Sequence, residues 1–235
     1  MVEARVKLVP KSTAGGGPDF VLVHGIGVSW RYFERMAGHL ARHGTVHLVD
    51  LPGYGSAPKP HRDLSIVDHA AVLADLIDGL DNPVLVGHSM GAQVVARLAV
   101  DSPEITDRIV LMAPSLEPGL RTFWRAFGAL LLDATREPIR GNAITASDLW
   151  FRCGPPYALA QMKHLLADRL EDRLPLVRAR ALVMRGKRDP IVSGEWAERV
   201  AGLMPRGSLS IVEGGHVMMF TDPARVARII AEHAS

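Results

Sequence analysis

An α/β fold built on a mostly parallel, twisted sheet with helices on both faces is what this sequence predicts, and three observations lead there. Short apolar runs alternate with stretches in which apolar residues recur at helical spacing. The runs are continuously apolar rather than alternating, which is the pattern of strands covered on both faces. At residues 83–95 (PVLVGHSMGAQVV) one run meets Gly87, His88, Ser89, Met90 and Gly91, and a helical pattern follows at once. Strand, sharp turn and helix therefore adjoin.

Taken in order, residues 5–9 read as a first short strand and 12–18 (STAGGGP) as a flexible connector. A buried strand at 20–24 (FVLVH) runs into Gly25, Ile26 and Gly27, after which Trp30, Phe33, Met36, Ala37 and Leu40 mark a helix. The strand at 45–49 closes on DLPGYG, residues 50–55. Ser65 and Asp68 form a capping box for a helix reaching Leu80. The turn around Ser89 and its helix come next, then a strand at 108–112. From there to Asp172 the strand rhythm stops. Six of the thirteen aromatics (Phe123, Trp124, Phe127, Trp150, Phe151, Tyr157) fall here, with helical spacing at Trp124, Phe127 and Leu131 and again at Leu159, Met162 and Leu166. We expect residues 1–114 and 173–235 to form the core and 115–172 an inserted helical cap; the alternative is that these aromatics belong to core helices. Strands resume at 181–184 and 208–212, and the last helix opens with Asp222 as N-cap and Pro223 at its first position.

Composition narrows the function. A chain of 235 residues, 48% hydrophobic and 22% charged, suits one globular domain. Lys and Arg exceed Asp and Glu by 27 to 25, so the basic balance is slight and no nucleic-acid partner is expected. Arg178, Arg180, Arg185, Lys187 and Arg188 read as solvated strand flanks. The one cysteine, Cys153, excludes an intrachain disulfide and reads as a loop residue without a nucleophilic role. The stretch MVEARVKLVPK lacks the apolar core of a signal peptide, and no run reaches membrane-spanning length, so a cytoplasmic location is expected. His39 and His43 sit four apart without the glutamate of a zinc helix and read as a surface pair. The glycine runs at 15–17 and 53–55 lack the spacing of nucleotide loops. No metal or cofactor is expected.

Ligands of open α/β sheets bind at the carboxyl ends of strands. The polar residues expected there are His24, Asp50, Ser89, the loop after Met112, Asp189 and His216. A serine nucleophile needs a neutral imidazole as base, and the imidazole needs an acid to hold its tautomer. Ser89, Asp189 and His216 can fill these roles. Glu117, just past the 108–112 strand, is an alternative acid; Asp50 is better suited to tying down its own Gly-Tyr-Gly loop. His24 and His88 read as structural.

HGIG (24–27), DLPGYG (50–55), GHSMG (87–91), RGKRDPIV (185–192) and GGHVMMF (214–220) together resemble the α/β-hydrolase superfamily, in its cap-bearing form. The resemblance implies Ser89 as nucleophile, His216 as base, Asp189 as acid, and an oxyanion hole from the backbone N–H groups of Ile26 and Met90. It implies a carboxylesterase that cleaves a small or medium ester through an acyl-enzyme, with Trp30, Trp124, Phe127, Trp150 and Val217 in contact with substrate. Two departures stand out: only a short strand fits before Phe20, where the family often has a longer hairpin, and Ala92 replaces a common glycine. Serine at the turn argues against epoxide hydrolases and haloalkane dehalogenases, which use aspartate. Carbon–carbon hydrolases tend to carry tryptophan after the histidine, whereas Val217, Met218 and Met219 follow here. Thioesterase, lactonase and perhydrolase activities would use the same groups, and a slow-turnover ligand receptor would keep the same fold.

Overall fold

The computed structural model describes residues 2–9 and 16–235; positions 12–15 of the expected connector, and Gly15 of the glycine run, lie outside the described residues. Seven strands form one sheet: β1 (Arg5–Val9), β2 (Asp19–Val23), β3 (Thr45–Asp50), β4 (Val84–His88), β5 (Arg108–Met112), β6 (Arg180–Gly186) and β7 (Gly207–Val212). Their order is β1-β3-β2-β4-β5-β6-β7, with β1 antiparallel to β3 and all other pairs parallel. Among the described residues, the segment before β2 supplies one edge strand.

Helices fill the crossovers: α1 (Glu34–Leu40), α2 (Ile66–Leu76), α3 (Met90–Asp101), α4 (Phe123–Ala134), α5 (Ile139–Asp148), α6 (Pro155–Ala167), α7 (Leu170–Arg173), α8 (Gly194–Leu203), α9 (Met218–Thr221) and α10 (Pro223–Ala234). The chain steps one way along the sheet from β2 to β3 and the other way from β3 to β4 onward. Right-handed crossovers then place α1 on one face and α2, α3 and α8 on the other. α10 joins α1, and α2 packs on α3. Ser65 and Asp68 make both bonds of the expected capping box, and Asp222 accepts from the Arg225 N–H as N-cap of α10.

The reversal puts β2 and β4 side by side with their following loops diverging, which is where open α/β sheets bind ligands. Register keeps those loops level: Val23 pairs with Gly87, His88 with Met112, and Met112 with Met184. α4 to α7 are inserted between β5 and β6. Between α5 and α6, Leu149–Cys153 forms a π-helical turn, and Cys153 is buried within it rather than lying in an open loop.

α4 differs from expectation in its orientation. Trp124 is 76% exposed, Phe127 42% and Leu131 55%, while Ala126 is buried. At 3.6 residues per turn, Trp124 lies roughly 200° around the helix from Ala126, so one stripe turns outward and the stripe through Ala126, Leu130 and Asp133 turns to the core. Among the described residues, no helix is long and apolar enough to cross a membrane.

Two glycines should respond oppositely to an added methyl. A Cβ at Gly91 would be driven into the Val23 carbonyl, whereas one at Gly128, on exposed α4, meets nothing. Gly91→Ala should cost roughly 1–3 kcal/mol as overpacking. Gly128→Ala should add about 0.5–1 kcal/mol by raising helix propensity. Denaturant titration of both variants checks the pair.

Candidate active site

Ser89 stands between β4 and α3 with φ 55° and ψ −116°, a conformation few non-glycine residues adopt. The turn is possible because Gly87 and Gly91 have no Cβ: at Gly87 one would overlap the Gly91 carbonyl, and at Gly91 the Val23 carbonyl. The Ser89 N–H is fixed to the Met112 carbonyl at 2.9 Å. Met90 is the first residue of α3, so its N–H has no preceding helical carbonyl to bond. The Ser89 hydroxyl lies 3.1 Å from Ser115 Oγ, in the loop after β5. Ser115 was not singled out by the sequence beyond its place in that loop.

His216 Nδ1 pairs with Asp189 Oδ2 at 2.9 Å, and both residues are 5% exposed. The other Asp189 oxygen accepts the N–H groups of Ile191 (2.8 Å) and Val192 (3.1 Å). Burial works to raise the Asp189 carboxyl, but the His216 ring and these bonds outweigh it and hold it below the usual carboxylate range. For His216, burial opposes the charged ring, yet Asp189, then Asp133 and Glu137, lift it above an ordinary histidine. Arg185, read from the sequence as a solvated flank, instead donates to the carbonyls of Lys187, Asp189 and Val192 and so braces the turn that carries Asp189. Glu117 is occupied elsewhere, accepting from the Ser193 hydroxyl at 2.6 Å.

The expected structural histidines link loops. His24 Nδ1 lies 2.7 Å from the Gly25 carbonyl, and its Nε2 accepts the Leu51 N–H at 3.1 Å. Asp50 accepts from the Ser56 N–H and hydroxyl, tying down its glycine loop, and also from the Trp30 N–H at 3.0 Å. His88 Nε2 lies 3.0 Å from the His216 carbonyl oxygen, which can only accept, so the proton sits on Nε2. Its Nδ1 then accepts from the Tyr32 hydroxyl (2.8 Å), which itself accepts the Gly25 N–H (2.8 Å). Nothing in the sequence pointed to Tyr32.

The inserted segment contributes polar contacts of its own. Asp148, at the end of α5 and fully buried, accepts from the Ser29 N–H (3.1 Å), the Ser29 hydroxyl (2.5 Å) and Arg31 (2.8 Å). Asp133 accepts the His216 N–H at 3.2 Å and Glu137 the Val217 N–H at 2.9 Å. The Tyr157 hydroxyl donates to the Pro52 carbonyl at 2.9 Å, and His69 meets Gln161 at 3.0 Å.

Over Ser89, which is 8% exposed, lies a cavity of about 20 Å³, room for about one water. Ile26, Ser89, Ser115, Leu116 and Ile191 line it from below and Ala126, Leu130, Met162 and Leu165 from the inserted helices. None of the five residues expected to contact substrate lines it. Trp124, Phe127 and Trp150 (66% exposed) face outward, the Trp30 ring lies under the Lys7 ammonium, and Val217 is engaged through its N–H. A larger cleft of about 460 Å³ between α1 and α10, lined by His39, His43 and Arg225, holds none of the groups above. Among the described residues no group of three or more side chains is placed to hold a metal ion.

The two histidines should titrate far apart. Burial, then the His216 charge, presses His88 down to about 3, whereas His216 is raised. Imidazole ¹H–¹⁵N spectra at pH 5 should show His88 neutral with its proton on Nε2 and His216 charged. Between pH 6.5 and 3 the unfolded chain binds the proton that native His88 refuses, so this group withdraws stability as pH falls through that window. A charged His88 at pH 5 would contradict the assignment.

The profile of the alpha/beta hydrolase family matches residues 20–229. A pimeloyl-[acyl-carrier protein] methyl ester esterase of Vibrio vulnificus is 25% identical over 90% of this chain and 92% of its own. An uncharacterized protein of Mycobacterium tuberculosis is 36% identical over 102 residues, 43% of this chain, so the match spans under a third (30%) of that relative's length. An esterase from Exiguobacterium antarcticum superposes with a TM-score of 0.83 at 19% identity, covering 98% of this chain and 95% of that one, a likeness of fold. With its family profile matched from the first buried strand to the last helix, the chain belongs to the alpha/beta hydrolase family.

Proposed function

We propose that this hydrolase cleaves a small carboxylic ester through an acyl-enzyme on Ser89. The observation that carries the reading is a strained serine at the first N–H of α3, opening on a small apolar cavity, together with a buried His216–Asp189 pair whose loop is bonded to His88, the residue before Ser89. Ser89 Oγ turns from Ser115 toward His216 and attacks the ester carbonyl. His216 Nε2 takes the proton, and Asp189 stabilises the resulting imidazolium. The N–H groups of Met90 and Ile26 receive the oxyanion. His216 then protonates the leaving alkoxide, and water repeats the sequence to release the acid. The methyl ester esterase among the relatives supports the ester class.

In this reading residues 115–172 act as a cap whose inward face selects the acyl group. The cavity holds only a water-sized group, so the flexible Met162 side chain and Leu130 shift to admit an acyl chain.

A fluorophosphonate should add one adduct, mapped to Ser89 and absent in Ser89→Ala. Asp189→Asn should fold normally and lower kcat by up to ~10⁴-fold, since asparagine favours the wrong tautomer. If Glu117→Gln is the crippling change instead, the acid is misassigned.

Acyl-chain selection should follow the inward stripe. Leu130→Ala and Met162→Ala should shift kcat/KM toward longer acyl esters by roughly 10- to 200-fold per methylene accommodated, while Trp124→Ala leaves the profile unchanged. A shift confined to Trp124→Ala would overturn the placement.

A further inference from the structure

The loop carrying His216 is fixed on its own side at the Gly214 carbonyl, which accepts the Arg188 N–H at 2.9 Å, and at the Val217 carbonyl, which accepts the Phe220 N–H at 3.0 Å. It begins with Gly214 at φ 120° and Gly215, the most freely moving residue type. The backbone N–H groups of His216 and Val217 both need acceptors, and the sheet supplies none. Acceptors come from the inserted segment: Asp133 Oδ1 takes one and Glu137 Oε1 the other. The two carboxylates are four apart, on the stripe of α4 that turns inward and in the turn that follows it. Both are buried, and the second Glu137 oxygen has no hydrogen-bond partner among the described residues. The fit is close at Gly215, where a Cβ would overlap Glu137 Oε1.

We propose that Asp133 and Glu137 are positioning residues that hold the catalytic histidine's backbone from the cap side, so that seating the cap and placing the base are one event. The proposal rests on the hydrolase reading above. His88 fixes the same loop from the opposite side through the His216 carbonyl, and Asp189 fixes the ring. With the two N–H bonds in place the residue and its loop are held by four hydrogen bonds from three sides. Without them Gly215 lets the loop shift the ring relative to Ser89 despite the bonds to His88 and Asp189.

Charge gives a second readout. The groups acting on His216 are Asp189 from the turn after β6, His88 from the end of β4, and Asp133 and Glu137 from the inserted segment. Both inserted carboxylates favour the imidazolium. Asparagine and glutamine would keep the acceptor oxygens while removing that charge; alanine would remove both.

The test compares the double variants Asp133→Ala/Glu137→Ala and Asp133→Asn/Glu137→Gln, using short and long acyl esters, with circular dichroism and thermal melts beside the kinetics. The alanine pair should lose kcat by about 10²-fold on esters of every length with KM little changed, as expected for a misplaced base. The amide pair should keep kcat within about fivefold at its optimum and move the acidic limb of kcat/KM to lower pH, because His216 then loses its proton more readily. A folded alanine pair with wild-type kcat, or an amide pair that loses kcat as far as the alanine pair does, overturns the proposal. If the alanine pair fails to fold, the single variants Asp133→Ala and Glu137→Ala, each set against its amide, give the same comparison. Activity surviving in Ser89→Ala would instead sink the hydrolase reading, so the two failures are distinguishable.

Discussion

The ring of His88 is the hub on which the site's arrangement depends. It joins the loop after β2, through Tyr32 and the Gly25 N–H, to the His216 carbonyl, while its own backbone leads into Ser89. A bridge of this kind works only with a neutral imidazole, one nitrogen donating and the other accepting. Burial enforces that state, since a charged ring would have to be desolvated beside His216. Three loops that leave the sheet at different strands are thereby held to one geometry without an ion pair among them.

The inserted helices are tied to the sheet by a different chemistry. Beside the apolar packing of Ala126, Met162 and Leu165, buried carboxylates accept backbone N–H groups: Asp148 at Ser29, Asp133 at His216 and Glu137 at Val217. Burial raises the Asp133 and Glu137 carboxyls above their ordinary range. Such contacts are directional, so they specify one seating of the insertion where an apolar surface alone would tolerate several. Because all three fall on the loops after β2 and β7, the insertion and the sheet share responsibility for the geometry around Ser89.

Strand positions were legible because continuous apolar runs need only local reading, and the capping box at Ser65 and the N-cap at Asp222 carried their own signatures. The turn at Ser89 was legible because its glycines are demanded by backbone proximity within a few residues. The outward Trp124 stripe was not, since periodicity shows that a helix has two faces and leaves open which one meets the core. Asp133, Glu137 and Asp148 were missed for a related reason. Each accepts a backbone N–H group some 80 to 119 positions away in the chain, and such groups carry no residue-type signal. Ser115 and Arg185 likewise acquire meaning only through neighbours that folding brings to them.

Cys153 is the chain's one cysteine, and it is sealed inside the π-helical turn, with burial pushing its thiol up to about 11. At neutral pH it is almost wholly protonated and out of reach of alkylating agents and oxidants. In this fold the chain's one thiol is therefore kept from the surface. For the experimenter the same seclusion is useful. A single cysteine engineered onto the outward stripe of α4 would be the one exposed thiol for a maleimide dye, and would report on the inserted helices without competing background.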